Sequence, residues 1–432
     1  MEVCRRSCSI PVMAALWLAA AGACFAAPKD EPAAPYVHAD GTVIRDEQNR
    51  PLHLRGVNLG GWLCWEGWIF GGGFESESTI LERLSSLVGT AGAAAFRDAV
   101  HARFIAEPDI ARIAAMGFNV VRVPLNYRLL EDDARPGAYK EAGWQVLDRL
   151  LGWCEAHRVY VVPDLHAAPG GQSKLFMADP PDPAKGALLW EDETCQARTV
   201  ALWTAVAARY RDRRIVAGYD LLNEPAPPDG KALARLYQRI IAGIRTADPH
   251  HMIFVEGSNF ARDFSMFDSP PAPNVAYSFH MYTWFGDDRR KWLDGFQALA
   301  RKHNVPLWCG EFGENSYDMV RSTVALYEDP ANLVSGYALW TWKKAPTSHP
   351  GLMVIAQPPP WTDLIRWIAK RWFAFPPTPE EAAAAIRQFL DAAACDQTAE
   401  DPRMRNALQP PRQNGAALRG AERSPAAQGA PR

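Results

Sequence analysis

The chain has 432 residues, of which 48% are hydrophobic and 22% charged, and a formal net charge of -3. That is apolar material for one large core, and a closed parallel barrel of about 250 residues or more fits within it with room for insertions. The near balance of charge excludes a basic field for nucleic acid, and no nucleic-acid partner is expected. The 16 tryptophans are enough to suggest flat apolar platforms in a groove, of the kind sugars stack on, although most tryptophans in any chain serve as core.

In chain order, Arg5-Arg6 precede an apolar run from Ile10 to Ala23, followed by small residues through Ala26-Ala27 and then Lys29-Asp30-Glu31. This reads as an export signal over residues 1–27, too short to stay as a stable membrane span. A mature chain starting near Pro28 is expected outside the cytoplasm, extracellular or periplasmic. Cys24 is the lesser alternative, as a lipid-anchoring site. Three of the 8 cysteines lie in this segment. The others, Cys64, Cys154, Cys195, Cys309 and Cys395, form an odd, scattered set that argues against a disulfide framework or a zinc cluster. No cofactor and no metal are expected, and the protein is expected to be a monomer.

Gly41-Thr42-Val43-Ile44 and Leu52-His53-Leu54 flank the turn-rich Asp46 to Arg50, predicting a short hairpin under a barrel. Strand-like runs follow at Arg55–Leu59, Asn119–Pro124, Val159–His166, Ile215–Leu222, Met252–Val255, Val275–His280, Pro306–Gly310 and Gly336–Trp342. Helical periodicity separates most of them, as in Asp109–Met116, Trp144–His157, Thr199–Arg211 and Lys231–Thr246. Eight strands alternating with helices predict an α/β fold, a (β/α)8 TIM barrel with a short N-terminal β-hairpin. The barrel domain is expected over residues 36–375. The Ala/Pro-rich tail, 376–432, lacks a core pattern apart from a candidate helix at Glu380–Ala394, so it is expected to be largely disordered and removable after about residue 379 without loss of activity.

Two of these runs end in a carboxylate. Leu221-Leu222-Asn223-Glu224-Pro225 closes the fourth strand, where Pro225 blocks further pairing, and Cys309-Gly310-Glu311-Phe312-Gly313 closes the seventh. The C-terminal ends of barrel strands form the active face, and paired carboxylates there suit acid/base chemistry on a sugar.

Asn223-Glu224-Pro225, His280-Met281-Tyr282, Gly310-Glu311-Phe312-Gly313 and Trp340 resemble the signature positions of glycoside hydrolase family 5, across about residues 41 to 375. Within it, Gly56-Val57-Asn58-Leu59-Gly60-Gly61-Trp62-Leu63, the stretch from Asp164 to Gln172, and Trp340-Thr341-Trp342-Lys343 are most similar to the exo-β-1,3-glucanase branch. The chain departs from that branch at Met281 and Gly67, where a second His and a Pro are usual. The resemblance implies that Glu224 is the acid/base and Glu311 the nucleophile, with Arg122 and Tyr282 keeping Glu311 ionised. Asn223 would hold a sugar 2-hydroxyl, His166 and His280 would grip hydroxyls and orient the carboxylates, and Trp340 would floor the reacting sugar. Glu66, Trp65, Trp68 and Trp284 are candidates for the cleft lining, whereas Asp164 and Asp220 read as structural. Glu256 and Glu314 lie near strand ends but match no motif.

The implied activity is a secreted retaining hydrolase of β-glucans or related β-glucosides, acting on an oligo- or polysaccharide by double displacement. A β-1,4-endoglucanase and a glucosylceramide-type β-glucosidase remain alternatives within the class. A non-catalytic glycan-binding barrel is the alternative outside it, though it has no need of two poised carboxylates. A metal-dependent hydrolase usually needs two histidines on one strand, and Asp164-Leu165-His166 offers one.

Overall fold

The computed structural model describes residues 36–411 except positions 183, 285, 348 and 350. The expected export signal and Cys24 lie outside the described residues. The chain opens with an antiparallel hairpin, β1 (His38–Asp40) and β2 (Val43–Arg45). It turns one step earlier than the sequence suggested. Gly41, with φ of 60°, makes the tight turn, and the turn-rich Asp46–Arg50 leads only to a single bridge between Arg45 and Pro51.

The barrel is built from β3 (Leu54–Asn58), β4 (Val120–Asn126), β5 (Tyr160–Ala167), β6 (Gly218–Asp220), β7 (Met252–Glu256), β8 (Val275–Tyr282), β9 (Leu307–Gly313) and β10 (Val334–Leu339). Each pairs in parallel with the next, and β10 closes on β3 from Gly336↔Leu54 to Leu339↔Val57. Between them run α1 (Glu77–Arg103) with α2 (Glu107–Ala115), α3 (Glu141–His157), α4 (Glu193–Tyr210), α5 (Gly230–Ala247), the one-turn α6 (Ser258–Ala261), α7 (Arg289–His303) and α8 (Tyr317–Glu328). Local signals explain their placement. The side chain of Asp229, for example, accepts from Ala232 N at 2.7 Å and caps α5. Leu233, Leu236, Tyr237, Ile240, Ile241 and Ile244 then turn one buried stripe of that helix to the sheet.

Strand alternation stacks the barrel interior in layers. At the N-terminal end the layer is apolar: Leu54, Val120, Val162, Phe254, Ala276, Trp308 and Ala338 pack together with Val37 and Ile44, so the hairpin region plugs the bottom. At the C-terminal end the interior positions turn polar, with Asn58, Arg122, Asp164, Asp220, Glu256 and His280 all buried. Apolar packing thus supports a charged layer at the mouth.

After β10 the chain adds a small sheet, β11 (Lys343–Lys344), β12 (Met353–Val354) and β13 (Ala399–Glu400), together with α9 (Pro359–Ile368), α10 (Pro379–Ala392) and α11 (Pro402–Ala407). Within the described part of the tail, α10 coincides with the candidate helix at Glu380–Ala394, and β13 and α11 are ordered structure that the sequence did not suggest. Thr378 and Glu381 form a reciprocal capping box that starts α10. Phe389 stacks on Trp361 at 4.1 Å and meets Phe70 edge-on at 5.5 Å. Phe389, Leu390, Met404 and Leu408 are all buried. The few large residues among the alanines are the ones that dock. Residues 412–432 lie outside the described residues.

Candidate active site

The charged layer is organised around Arg122 of β4, which is fully buried. Its guanidinium gives Nε to Asp220 Oδ2 at 2.8 Å, Nη1 to Glu311 Oε1 at 2.7 Å and Asn58 Oδ1 at 3.2 Å, and Nη2 to Asn223 Oδ1 at 2.9 Å and Glu256 Oε1 at 2.8 Å. Asp164 Oδ2 lies 3.1 Å from the same Nη2. Burial opposes this charge, but Asp164, Asp220, Glu311 and Glu256 outweigh it and raise the arginine well above its ordinary value. A buried cation with so many partners orients every carboxylate around it. Asp164, Asp220 and Glu256 converge closely enough to hold a metal ion, yet the guanidinium already takes the place a cation would have.

Glu311 lies near the C-terminal end of β9, with Oε1 held by Arg122 and Oε2 accepting from the Tyr282 hydroxyl at 2.8 Å. Burial, then the Glu311 and Glu224 charges, push the Tyr282 phenol well above its usual range, so it remains a donor. Glu224 follows β6 with φ of 41°, in the left-handed region that favours glycine. Its Oε1 lies 2.9 Å from His280 Nδ1. His280 reaches this place through a register shift between Phe279 and His280, which sets it opposite Glu311. Burial alone would push the His280 imidazole down. The Glu256 and Glu311 charges, with the hydrogen bond to Glu224 and the Glu256 carboxylate 3.1 Å from Nε2, instead raise it well above the ordinary value. Glu224 and Glu311 are 9% and 5% exposed, and carboxylate oxygens of the two lie within 4.8 Å of each other.

The remaining candidates line the same mouth. His166 Nδ1 lies 2.7 Å from Asp164 Oδ2, and its ring stacks on Trp340 at 5.2 Å and 5°. Burial would lower it, but Asp164, then Glu66 and Glu311, raise it to about 10. Glu66 Oε1 stands 3.5 Å from His166 Nε2 while Oε2 accepts from Trp68 Nε1 at 2.5 Å. Trp284 is exposed and leans on Tyr282 at 4.3 Å. Trp65 does not line the cleft. It is fully buried against Phe70 and Phe96, with Nε1 on Trp62 O.

Sequence reasoning missed Asn58, Gln172 and Glu256 as site residues. Asn58 Nδ2 reaches Gly310 O at 3.0 Å, tying β3 to the Glu311 strand. Gln172 Nε2 bridges His166 O at 2.6 Å and Asn223 O at 2.9 Å, joining the loops after β5 and β6. Glu256 ends β7, just as Glu311 lies near the C-terminal end of β9 and Glu224 follows β6, so the strand-end rule applied to Met252–Glu256 would have found it. Glu314 lies outside this network. It accepts from the Thr283 and Thr323 hydroxyls and ties the loops after β8 and β9 together.

A closed eight-stranded barrel with two glutamates converging at its C-terminal mouth is the construction of a (β/α)8 glycoside hydrolase. Residues 87–346 match the model of the cellulase family, glycosyl hydrolase family 5. The chain is 31% identical over 379 residues to a β-xylosidase of Phanerodontia chrysosporium, covering 78% of this chain and 76% of that protein. It is 27% identical over 298 residues to endoglucanase C of Acetivibrio thermocellus, covering 56% and 84%. It is 29% identical over 276 residues to a probable glucan 1,3-beta-glucosidase A of Emericella nidulans, covering 60% and 66%. The chain belongs to glycosyl hydrolase family 5 and is a glycoside hydrolase.

Proposed function

We propose that the protein is a secreted, retaining hydrolase of β-glucosidic bonds that acts on β-1,3-glucan or a related β-glucoside by double displacement. The observation that carries this is the approach of Glu224 and Glu311, with carboxylate oxygens within 4.8 Å. Retaining enzymes hold the two groups about 5–5.5 Å apart, whereas inverting ones leave about 6.5–9.5 Å for a water. Glu311, fixed by Arg122 and Tyr282, attacks the anomeric carbon while protonated Glu224 gives its proton to the leaving oxygen. Glu224 then takes a proton from water as that water releases the sugar from Glu311. Asn223 accepts from Arg122 through Oδ1, leaving its amide nitrogen to donate to a sugar 2-hydroxyl. Trp340 backed by His166 gives the sugar a flat floor, and Glu66 lies beside them to accept from hydroxyls.

The β-glucan assignment rests on the exo-β-1,3-glucanase motifs, with support from the glucan 1,3-beta-glucosidase and endoglucanase relatives. Proton NMR of the first-formed product tests the stereochemistry: the β anomer is expected, and an α anomer before mutarotation refutes the assignment of Glu311. A panel of β-1,3-, β-1,4- and β-1,6-glucans, glucosylceramide and an aryl β-xyloside tests the substrate. Faster turnover of the xyloside than of every glucoside would move the reading to that of the β-xylosidase relative.

A further inference from the structure

Glu256 is deeply buried, touches Glu224 directly and reaches Glu311 through Arg122. Its Oε2 accepts from the backbone N–H of Glu224 at 2.7 Å, the residue whose φ of 41° needs holding. Its Oε1 lies 2.8 Å from Arg122 Nη2, which grips Glu311 through Nη1, and 3.1 Å from His280 Nε2, whose other nitrogen meets Glu224 Oε1. One carboxylate therefore reaches Glu224 by its main chain, Glu224 again through an imidazole, and Glu311 through a guanidinium. From α5, the Tyr237 hydroxyl donates to Glu256 O at 3.0 Å and fixes its backbone.

We propose that Glu256 is a positioning residue for the acid/base step: it fixes the Glu224 backbone and His280, offsets the positive charge of Arg122 and His280 beside Glu224, and so sets the pH range over which Glu224 can serve as acid. This rests on the retaining reading above. The other groups facing this chain are Arg122 from β4, Asp164 from β5, Asp220 from β6, and Tyr282 and Glu311 from β8 and β9. Asp220 itself is raised well above the usual carboxylate range by burial and then by the Glu256 charge. Removing the charge at Glu256 leaves Arg122 and the imidazolium less compensated. The surplus positive charge favours ionised Glu224, and the enzyme runs out of acid at lower pH.

The experiment compares Glu256→Gln with the intact enzyme on two aryl β-glucosides. With phenyl β-glucoside, whose departure needs a proton, the alkaline limb of kcat/KM should move down by about one pH unit or more. The rate there should fall roughly tenfold or more, up to the 10²–10⁴-fold that general acids supply. With 2,4-dinitrophenyl β-glucoside, which leaves unaided, glycosylation should be nearly spared. An unmoved or raised limb, or equal losses on both glucosides, overturns the proposal. Glu256→Asp, which keeps the charge, should return the limb to its original place at reduced kcat, and a limb as displaced as in Glu256→Gln refutes it. Should Glu256→Gln fail to fold, isotope-labelled histidine NMR of the intact enzyme at about pH 6 decides. Both His280 ring nitrogens are expected to be protonated, and a neutral ring refutes the proposal. Labelling of the intact enzyme with a 2-deoxy-2-fluoro-β-glucoside separates the two claims: no adduct on Glu311 sinks the retaining reading itself, whereas an adduct with an unmoved limb sinks only the role of Glu256.

Discussion

Replacing Lys343 with Met should cost the fold more than most surface changes combined. Lys343 lies three residues beyond Trp340, is fully buried, and its Nζ meets Asp109 Oδ1 at 2.8 Å, Phe104 O at 2.8 Å and Ala393 O at 2.9 Å. At 2.8 Å in an effective dielectric of about 20 the ion pair is worth about 6 kcal/mol of Coulomb attraction. Each carbonyl bond to the charged group contributes about 1.5–3 kcal/mol more. Methionine recovers the desolvation of the ammonium but strands Asp109, which also accepts from Trp342 Nε1 at 2.9 Å. Net losses on breaking such a pair run to about 3–5 kcal/mol. Equilibrium unfolding in guanidinium should show that loss. The double variant Lys343→Met/Asp109→Asn should recover part of it, with a coupling of about 2 kcal/mol or more, within the range for directly contacting charges. A single-variant loss under about 1 kcal/mol, or strict additivity, would refute the view that this pair locks β11 to α2.

Truncation after Thr378 should lower the melting temperature and expose Trp361 and Phe70, read as a rise in hydrophobic-dye binding; an unchanged melting curve would show that α10 does not dock. Glu311→Ala should abolish turnover of every glycoside, while Glu224→Ala should lose roughly 10²–10⁴-fold on poor leaving groups and be spared in the first step on good ones, as burst kinetics would show. Arg122→Met should leave Asp164, Asp220, Glu256 and Glu311 without their shared cation and yield no folded protein at neutral pH by circular dichroism, so folded and active material would contradict the charge layer. Stability should fall as pH rises. Burial and then the Asp179 charge raise Glu77 to about 8, and His166 stands at about 10. Both folded values exceed the unfolded ones of about 4.3 and about 6.5, so both contributions are full below those values and are lost as pH rises through 8 and 10. Glu77→Gln should flatten unfolding free energy between about pH 5 and 8, and an unchanged slope there would refute the assignment.

The strands were legible because each is a short apolar run set off by helical segments, and Glu224 and Glu311 because an apolar run ended in a carboxylate. Local pattern could not show that Ile215–Leu222 pairs as a ladder only over Gly218–Asp220. Nor could it show that Trp65 turns into the core between Phe70 and Phe96, since contacts between distant segments decide that. In the tail, α10 was legible while β13 and α11 were not, for a compositional reason. Its alanines dominate the count, while Phe389, Leu390, Met404 and Leu408 are buried, and Phe389 packs on Trp361 and on Phe70 from the start of the chain. Glu256 went unweighed because it matched no motif, although its position at a strand end carried the same information as the two glutamates that did.

Closure of β10 on β3 joins Gly336 to Leu54, and Lys343 then reaches forward to Ala393. As the chain is synthesised, β3 must therefore wait with one edge unpaired until most of the protein has been made, and the loop beneath Trp340 waits longer still. Contacts of such long sequence separation slow folding and leave strand edges open to other chains meanwhile. Yield of this protein should depend on the rate at which its last hundred or so residues arrive, and slowing translation upstream of β10 should favour aggregation over active product.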